Sequence, residues 1–175
     1  MSSTYSIISC GLKHKALLAE LGSSTFYEAF GKFHTQSDMD AYTSKTYNLK
    51  AMEANLTASD ISYFVSYDSK KDLGYIKLLH DVKIEGLIGK TMELEKIYIR
   101  QEAYGTGVAN ALMEKAIEES NTAKCQNLFL GVWNENVRAL AFYKKWGFEI
   151  FSTRTFQLGD TLCNDYLLCL KLGAN

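Results

Sequence analysis

Gly105 and Gly107 stand two residues apart in a stretch, residues 94–117, that reads as a strand, a tight turn and a helix. Glycines at that spacing let the backbone bend sharply and pass close to a ligand. A helix starting at Val108 would aim unpaired N–H groups and the positive end of its dipole at the same place. The turn through Gly105, Thr106, Gly107, Val108, Ala109 and Asn110 therefore suits a phosphate. Gly-Thr-Gly also makes ordinary turns that bind nothing. Upstream, Glu93 and Glu95 lie two apart on one face of the strand, with Tyr98 placed on that face as a wall of a pocket or as a structural aromatic. The two carboxylates could accept a proton or attract a cation, or be solvated glutamates, one of them salt-bridged to Lys96 or Lys77. Downstream, the Tyr143 phenol, with an ordinary pKa near ~10, stays protonated at neutral pH and can give up a proton. Its other reading is one more aromatic in the stripe Leu140, Phe142, Tyr143 and Trp146.

The elements that would position these groups follow from periodicity and capping. Residues 5–10 alternate as a first strand, 14–30 carry helical spacing, a second helix opens near Thr35, and residues 48–56 form a third. Residues 61–67 and 73–79 read as strands joined by a polar connection at 68–72. A fourth strand spans 92–99, a fifth 127–132, and a closing pair 149–156 and 165–171. The helix after the fifth strand starts at Asn134, its expected cap, and stops at Gly147 in the C′ position. Residues 81–90, with two glycines and mixed charges, are expected to form a mobile loop beside the site. The fold class is α/β (α+β): one domain over residues 1–175, with a mixed sheet of about six to seven strands flanked by helices.

Two tandem strand-to-helix units, Gly105-Thr-Gly-Val-Ala109 and Asn136-Val-Arg-Ala139-Leu-Ala-Phe-Tyr143, carry a resemblance to the GCN5-related N-acetyltransferase superfamily. Leu94-Glu-Lys-Ile-Tyr-Ile99, Leu130-Gly-Val-Trp133 and Ala141-Phe-Tyr-Lys-Lys-Trp-Gly-Phe148 look most like its bacterial polyamine acetyltransferases of the PaiA type. The resemblance implies acetyl-CoA as cosubstrate and transfer of its acetyl group to a primary amine, with spermidine or spermine favoured. A peptide N-terminus, an amino acid, an aminoglycoside, or a CoA-binding module without turnover stand as alternatives. It also implies roles. Residues 105–110 would hold the pyrophosphate through helix-start amides, and Ile97, Tyr98 and Ile99 would hydrogen-bond the pantetheine as an added strand would. Asn136 and Ala139 would border the cofactor, Tyr143 would protonate the leaving thiolate, and Glu93 or Glu95 would deprotonate the amine. The sequence departs from the pattern at the motif's first position, where the family usually carries Arg or Gln and this chain has Tyr104. Lys115, Arg138 or Lys144 would then supply charge nearby.

With 175 residues the chain is long enough for one substantial core. Nineteen lysines and arginines against 20 acids leave a net charge of -1 and no basic run to track a nucleic acid. No apolar run approaches membrane-spanning length, and the first residues lack a signal peptide's charged and apolar regions, so a cytoplasmic protein is expected. Cys10, Cys125, Cys163 and Cys169 show no metal-ligand spacing and read as buried or partly buried thiols, with no disulfide and no metal expected. His14, His34 and His80 are dispersed and read as incidental, with His80 alone considered as a proton relay. A homodimer through the last strands is possible in such a fold.

Overall fold

Local signals set the elements almost where the spacing places them. The computed structural model describes residues 5–69, 71–158 and 161–173. Its strands are β1 (Ser6–Ser9), β2 (Ile61–Tyr67), β3 (Asp72–His80), β4 (Thr91–Ile99), β5 (Asn127–Trp133), β6 (Glu149–Leu158) and β7 (Thr161–Lys171). The helices are α1 (Lys15–Phe30), α2 (Gln36–Thr46), α3 (Leu49–Thr57), α4 (Val108–Thr122) and α5 (Val137–Lys145). Thr35 caps α2 by accepting the Asp38 N–H, and Asn48 caps α3 by accepting the Ala51 N–H at 2.8 Å. Among the described residues no helix is long and apolar enough to cross a membrane.

The strands form one mixed sheet in the order β1-β2-β3-β4-β5-β7-β6. Only β4 and β5 run parallel, and they pair only over Thr91–Glu93 against Asn127–Phe129. Beyond that point the two strands diverge, and their facing edges are left without each other's hydrogen bonds. The swap of β6 and β7 puts the last strand of the chain beside β5, antiparallel over the whole of β5 from Asn127 to Trp133.

Two apolar cores lie on opposite faces of the sheet. On one, Met92 and Leu94 of β4 meet Val108, Leu112, Met113 and Ala116 of α4, and Tyr143 and Phe148 close the far side. On the other, Leu18, Leu21 and Phe26 of α1, Met39 and Met52 pack over Tyr63, Val65 and Tyr75. A bulge in β4 links the two faces. Lys77 pairs with Lys96 but Leu78 pairs with Leu94, so Glu95 is an extra residue in the ladder. Strict alternation would set Tyr98 across the sheet from Glu93; the bulge returns it to that face, where it packs with the second core.

Candidate active site

The divergence of β4 and β5 opens a cavity of about 690 Å³, a size that holds a small ligand. It is lined from both faces of the sheet: by the glycine turn, the start of α4 and α5 on one side, and by α1, Tyr42, Phe156 and Asp165 on the other. The diverging stretch of β4, from Leu94 to Ile99, forms its wall.

At one end lies the turn. Gly105 has φ +77° and Gly107 φ +100°, conformations that L side chains rarely adopt. A Cβ built on Gly105 would meet nothing within 4 Å, so the space beside this residue is open. No side chain caps α4, and the first helical acceptor is Gly107, which takes the Ala111 N–H at 3.1 Å. The amides of Val108, Ala109 and Asn110 are thus available to an anion, whereas the Thr106 N–H is taken by the Ala103 carbonyl at 3.3 Å, so not every amide of 105–110 is open. Val108 offers only its main chain, since its side chain is fully buried in the core. Ala109 and Asn110 line the cavity. The Tyr5 hydroxyl donates to the Thr106 carbonyl at 2.5 Å and steadies the turn from outside.

Tyr104 brings a charge with it although it carries none. The Arg138 guanidinium lies 3.9 Å from the centre of the Tyr104 ring, a cation–π contact at the cavity wall. Lys145 also lines the cavity. Lys115 does not serve here: it is held by Glu118 and Glu119 and lies over the Phe64 ring. A turn with open amides, a stacked arginine and an unpaired strand edge fits a ligand with phosphates and an amide-bearing arm, as CoA has.

Tyr143 and Asn136 are placed by α5. The helix ends in a Schellman motif, with the Phe148 N–H on the Tyr143 carbonyl and the Gly147 N–H on that of Lys144, both at 3.1 Å. Tyr143 lines the cavity, and burial pushes its phenol up, so it stays protonated throughout the neutral range. Among the described residues its hydroxyl has no hydrogen-bond partner. The cap is Asn136, not Asn134: Asn136 Oδ1 accepts the Ala139 N–H at 3.2 Å. The Asn134 N–H is taken by the Asn164 carbonyl at 2.9 Å, which prolongs the β5·β7 ladder and delays the helix to Val137. Asn136 and Ala139 both line the cavity, and the Asn136 side-chain NH2 remains to meet a ligand.

At the other end is a chamber of aromatic rings. Phe26 stacks on Tyr42 at 4.3 Å, Tyr98 stands edge-on to Phe26 and Phe30, and Trp133 meets Phe30 and His34. Burial first, then Tyr47, Tyr42, Tyr143 and Asp165, hold the Tyr98 phenol far above its ordinary value. Glu95 lines this chamber and is paired to Lys77 at 2.5 Å. Glu93 is not brought into the cavity: its carboxylate is buried and bound by Arg154 at 3.0 Å.

The charged and titratable lining includes His34, Lys96, Arg154 and Asp165, none of which was given a part in the chemistry from sequence: His34 read as incidental and Lys96 as a salt-bridge partner of a glutamate. Lys96 donates to the Tyr42 hydroxyl at 3.2 Å between the rings of Tyr42 and Tyr47, with no carboxylate in ion-pair range among the described residues. His34, not His80, is the cavity histidine; His80 is hydrogen-bonded to Ser62 at 2.8 Å and lies outside the lining. Asp165 did carry a signal. Cys163, Asp165, Leu167 and Cys169 form the buried row of β7, and Asp165 is its one charged member. The loop at 81–90 also departs from expectation. The Lys90 N–H is bound to Gln126 Oε1 and no residue of the loop lines the cavity, so it sits at the far end of the β4·β5 pair. Cys125, Cys163 and Cys169 are buried and Cys10 is partly buried, as expected of free thiols.

Comparisons with known proteins agree with this geometry. The model of the acetyltransferase (GNAT) family matches residues 24–148. An uncharacterized N-acetyltransferase encoded in the pepI 3′ region of Lactobacillus delbrueckii subsp. lactis is 33% identical over 150 residues, covering 85% of this chain and 86% of that one. The crystal structure of the PaiA N-acetyltransferase of Thermoplasma acidophilum in complex with coenzyme A superposes with a TM-score of 0.78 at 16% identity, over 97% of this chain and 99% of the other. Arabidopsis thaliana NAA60 in complex with acetyl-CoA gives 0.73 at 12% identity, over 97% and 99%.

Proposed function

The chain belongs to the acetyltransferase (GNAT) family, an N-acetyltransferase that takes acetyl-CoA as its donor, and on that premise we propose that its acceptor is the primary amine of a small molecule. The observation that carries this reading is the single cavity running from the glycine turn, past β4 and Tyr143, into the aromatic chamber. Residues 105–110, Arg138 and Asn136 would hold the donor, and the edge of β4 at Ile97–Ile99 would align its arm. Bound there, acetyl-CoA supplies a thioester carbon open to attack by nitrogen. Tyr143 would give its proton to the departing sulfur, its O–H bond breaking as S–H forms, and a phenol without a hydrogen-bond partner has no competing hydrogen bond to give up first.

Within that class a polyamine of the spermidine type is the favoured acceptor. Its support is the row of rings from Phe26, Tyr42, Trp133 and Phe156, against which a cationic chain can lie, together with the carboxylates of Glu95 and Asp165. Lys96 favours a second reading. A buried ammonium without a carboxylate partner suits an acceptor bearing an anionic group as well as an amine, such as an amino acid.

Thiol release from acetyl-CoA tests both, with putrescine set against ornithine, cadaverine against lysine, and spermidine, an aminoglycoside and a short peptide alongside. Turnover of the diamines and spermidine alone supports the polyamine, and turnover of the carboxylated partners alone supports the amino acid. Tight acetyl-CoA binding with silence across the panel would replace both with a CoA-binding regulatory module.

A further inference from the structure

The two glutamates singled out by spacing are each engaged elsewhere. Glu93 is closed off by Arg154 and lies outside the cavity lining, and the Lys77 ammonium sits 2.5 Å from Glu95. Asp165 is the other carboxylate in the wall. It faces Trp133 across the β5·β7 ladder and Arg154 across β6·β7. Arg154 reaches back over β5 to hold both acids, at 3.0 Å from Glu93 and a looser 3.7 Å from Asp165. It can do so because residue 131 is glycine: a Cβ there would lie 2.4 Å from the guanidinium. The arginine's charge is thus spent mainly on Glu93, and Asp165 is left the least compensated acid at the chamber.

We propose that Asp165 takes the proton from the incoming amine, with Arg154 as its positioning residue. The inference rests on the acetyltransferase reading above. An ammonium entering the chamber gives one proton to the Asp165 carboxylate, and the neutral nitrogen then forms its bond to the thioester carbon as the carbon–sulfur bond breaks. Tyr143 protonates the sulfur and recovers a proton from the nitrogen through water, and Asp165 releases its own to solvent. The sum is an acetylated amine, a free thiol and one proton.

The groups facing Asp165 are Arg154 from β6, Tyr98 from β4 and Cys163 on its own strand, with Lys96, Glu95 and His34 elsewhere in the chamber. Burial raises the Asp165 carboxyl and Arg154 pulls it down, so the balance between them sets the pH at which the base becomes active.

The test is kcat/KM for thiol release against pH, using the best amine of the panel, for the unsubstituted protein, Asp165→Asn, Arg154→Met and His34→Gln. Asp165→Asn is expected to bind acetyl-CoA as before, to lose about 100-fold in rate at neutral pH, and to recover steadily toward the amine's own pKa near ~10.4, where the base is no longer needed. Arg154→Met should keep turnover while its acidic limb moves to higher pH. A parental acidic limb in Asp165→Asn, a loss equal at every pH, or disappearance of the limb in His34→Gln instead would each overturn the proposal. Should Asp165→Asn fail to fold, an unmoved limb in Arg154→Met overturns it equally. Silence of the unsubstituted protein would refute the acetyltransferase reading itself, a separate result.

Discussion

Gly131→Ala is the substitution whose outcome the structure specifies most sharply. The added carbon would sit 2.4 Å from Arg154 Nη2, 2.8 Å from Cζ and 2.9 Å from Nε, so the guanidinium must swing away from β5. It then gives up the 3.0 Å contact to Glu93, a carboxylate only 6% exposed. Hydrogen bonds to a charged group contribute about 1.5–3 kcal/mol, and breaking a fully buried pair costs about 3–5. Arg154 is partly exposed, so water compensates some of the loss and a figure near ~2 kcal/mol is appropriate. Alanine is better than glycine in extended backbone by roughly 0.5–1 kcal/mol, which leaves a net cost of about 1–1.5 kcal/mol. For a chain of this size that lowers Tm by about 2–6 °C.

The same substitution in an Arg154→Ala background meets no guanidinium. There it should be neutral or slightly stabilising, so the sign of its effect changes between backgrounds. Urea melts of the four proteins measure this directly. Equal effects of Gly131→Ala with and without Arg154 would refute the claim that glycine at 131 exists to let the arginine cross the strand.

Tyr143→Phe removes a buried hydroxyl with no partner, so stability should hold and acetyl-CoA affinity stay level while kcat falls about 100-fold or more; an unchanged kcat would remove the residue from the chemistry. Gly107→Ala places a side chain at φ +100°, at a cost of about 1–2 kcal/mol in the bound turn, and calorimetry should find acetyl-CoA affinity down about tenfold, with equal affinity ruling out the turn as the anion site. Tyr47, Tyr63, Tyr75, Tyr98 and Tyr143 all have phenols raised by burial. The unfolded chain ionises these near pH ~10 while the native state does not, so stability is intact below that pH and lost above it. The slope should approach about 1.4 kcal/mol per pH unit for each tyrosine, and urea melts from pH 8 to 11 that stay flat would contradict their burial.

The aromatic chamber gives the acceptor end of the cavity a balanced rather than an acidic character. Lys77, Lys96 and Arg154 stand against Glu93, Glu95 and Asp165, and all but Lys96 take part in ion pairs, Lys77 with Glu95 on the neighbouring strand and Arg154 closely with Glu93 and more loosely with Asp165. On the proposed reading, selection of the acceptor would fall to Lys96, the loosely held Asp165 and the rings.

Sequence alone determined the parts whose causes are local. Alternation placed the strands to within a few residues, Thr35 and Asn48 announced two helices, and Gly105, Gly107 and Gly147 marked turns that require positive φ. The stretch proposed to hold the donor runs in chain order from β4 through α4 and β5 to α5, which is why its turn, its helix start and Tyr143 were readable together. Choices between near-equal local options were not. Asn134 and Asn136 are the same residue type, and what separates them is a ladder bond from Asn164, 30 residues away in the chain. Likewise, the bulge at Glu95 follows from how β3 pairs with β4, and it brings Tyr98 onto the face of Glu93, where strict alternation would not put it.

At the other end of the cavity Glu95 and Tyr98 were legible in the sequence, but the charge cluster around Arg154 was decided by tertiary structure. Glu93, Gly131, Arg154 and Asp165 lie on four strands, β4, β5, β6 and β7, and only the β5-β7-β6 order brings them within reach of one guanidinium. A side chain's neighbours along a strand are written in the residues beside it, whereas its neighbours across a sheet depend on which strand the chain returns to, and no local energy encodes that return.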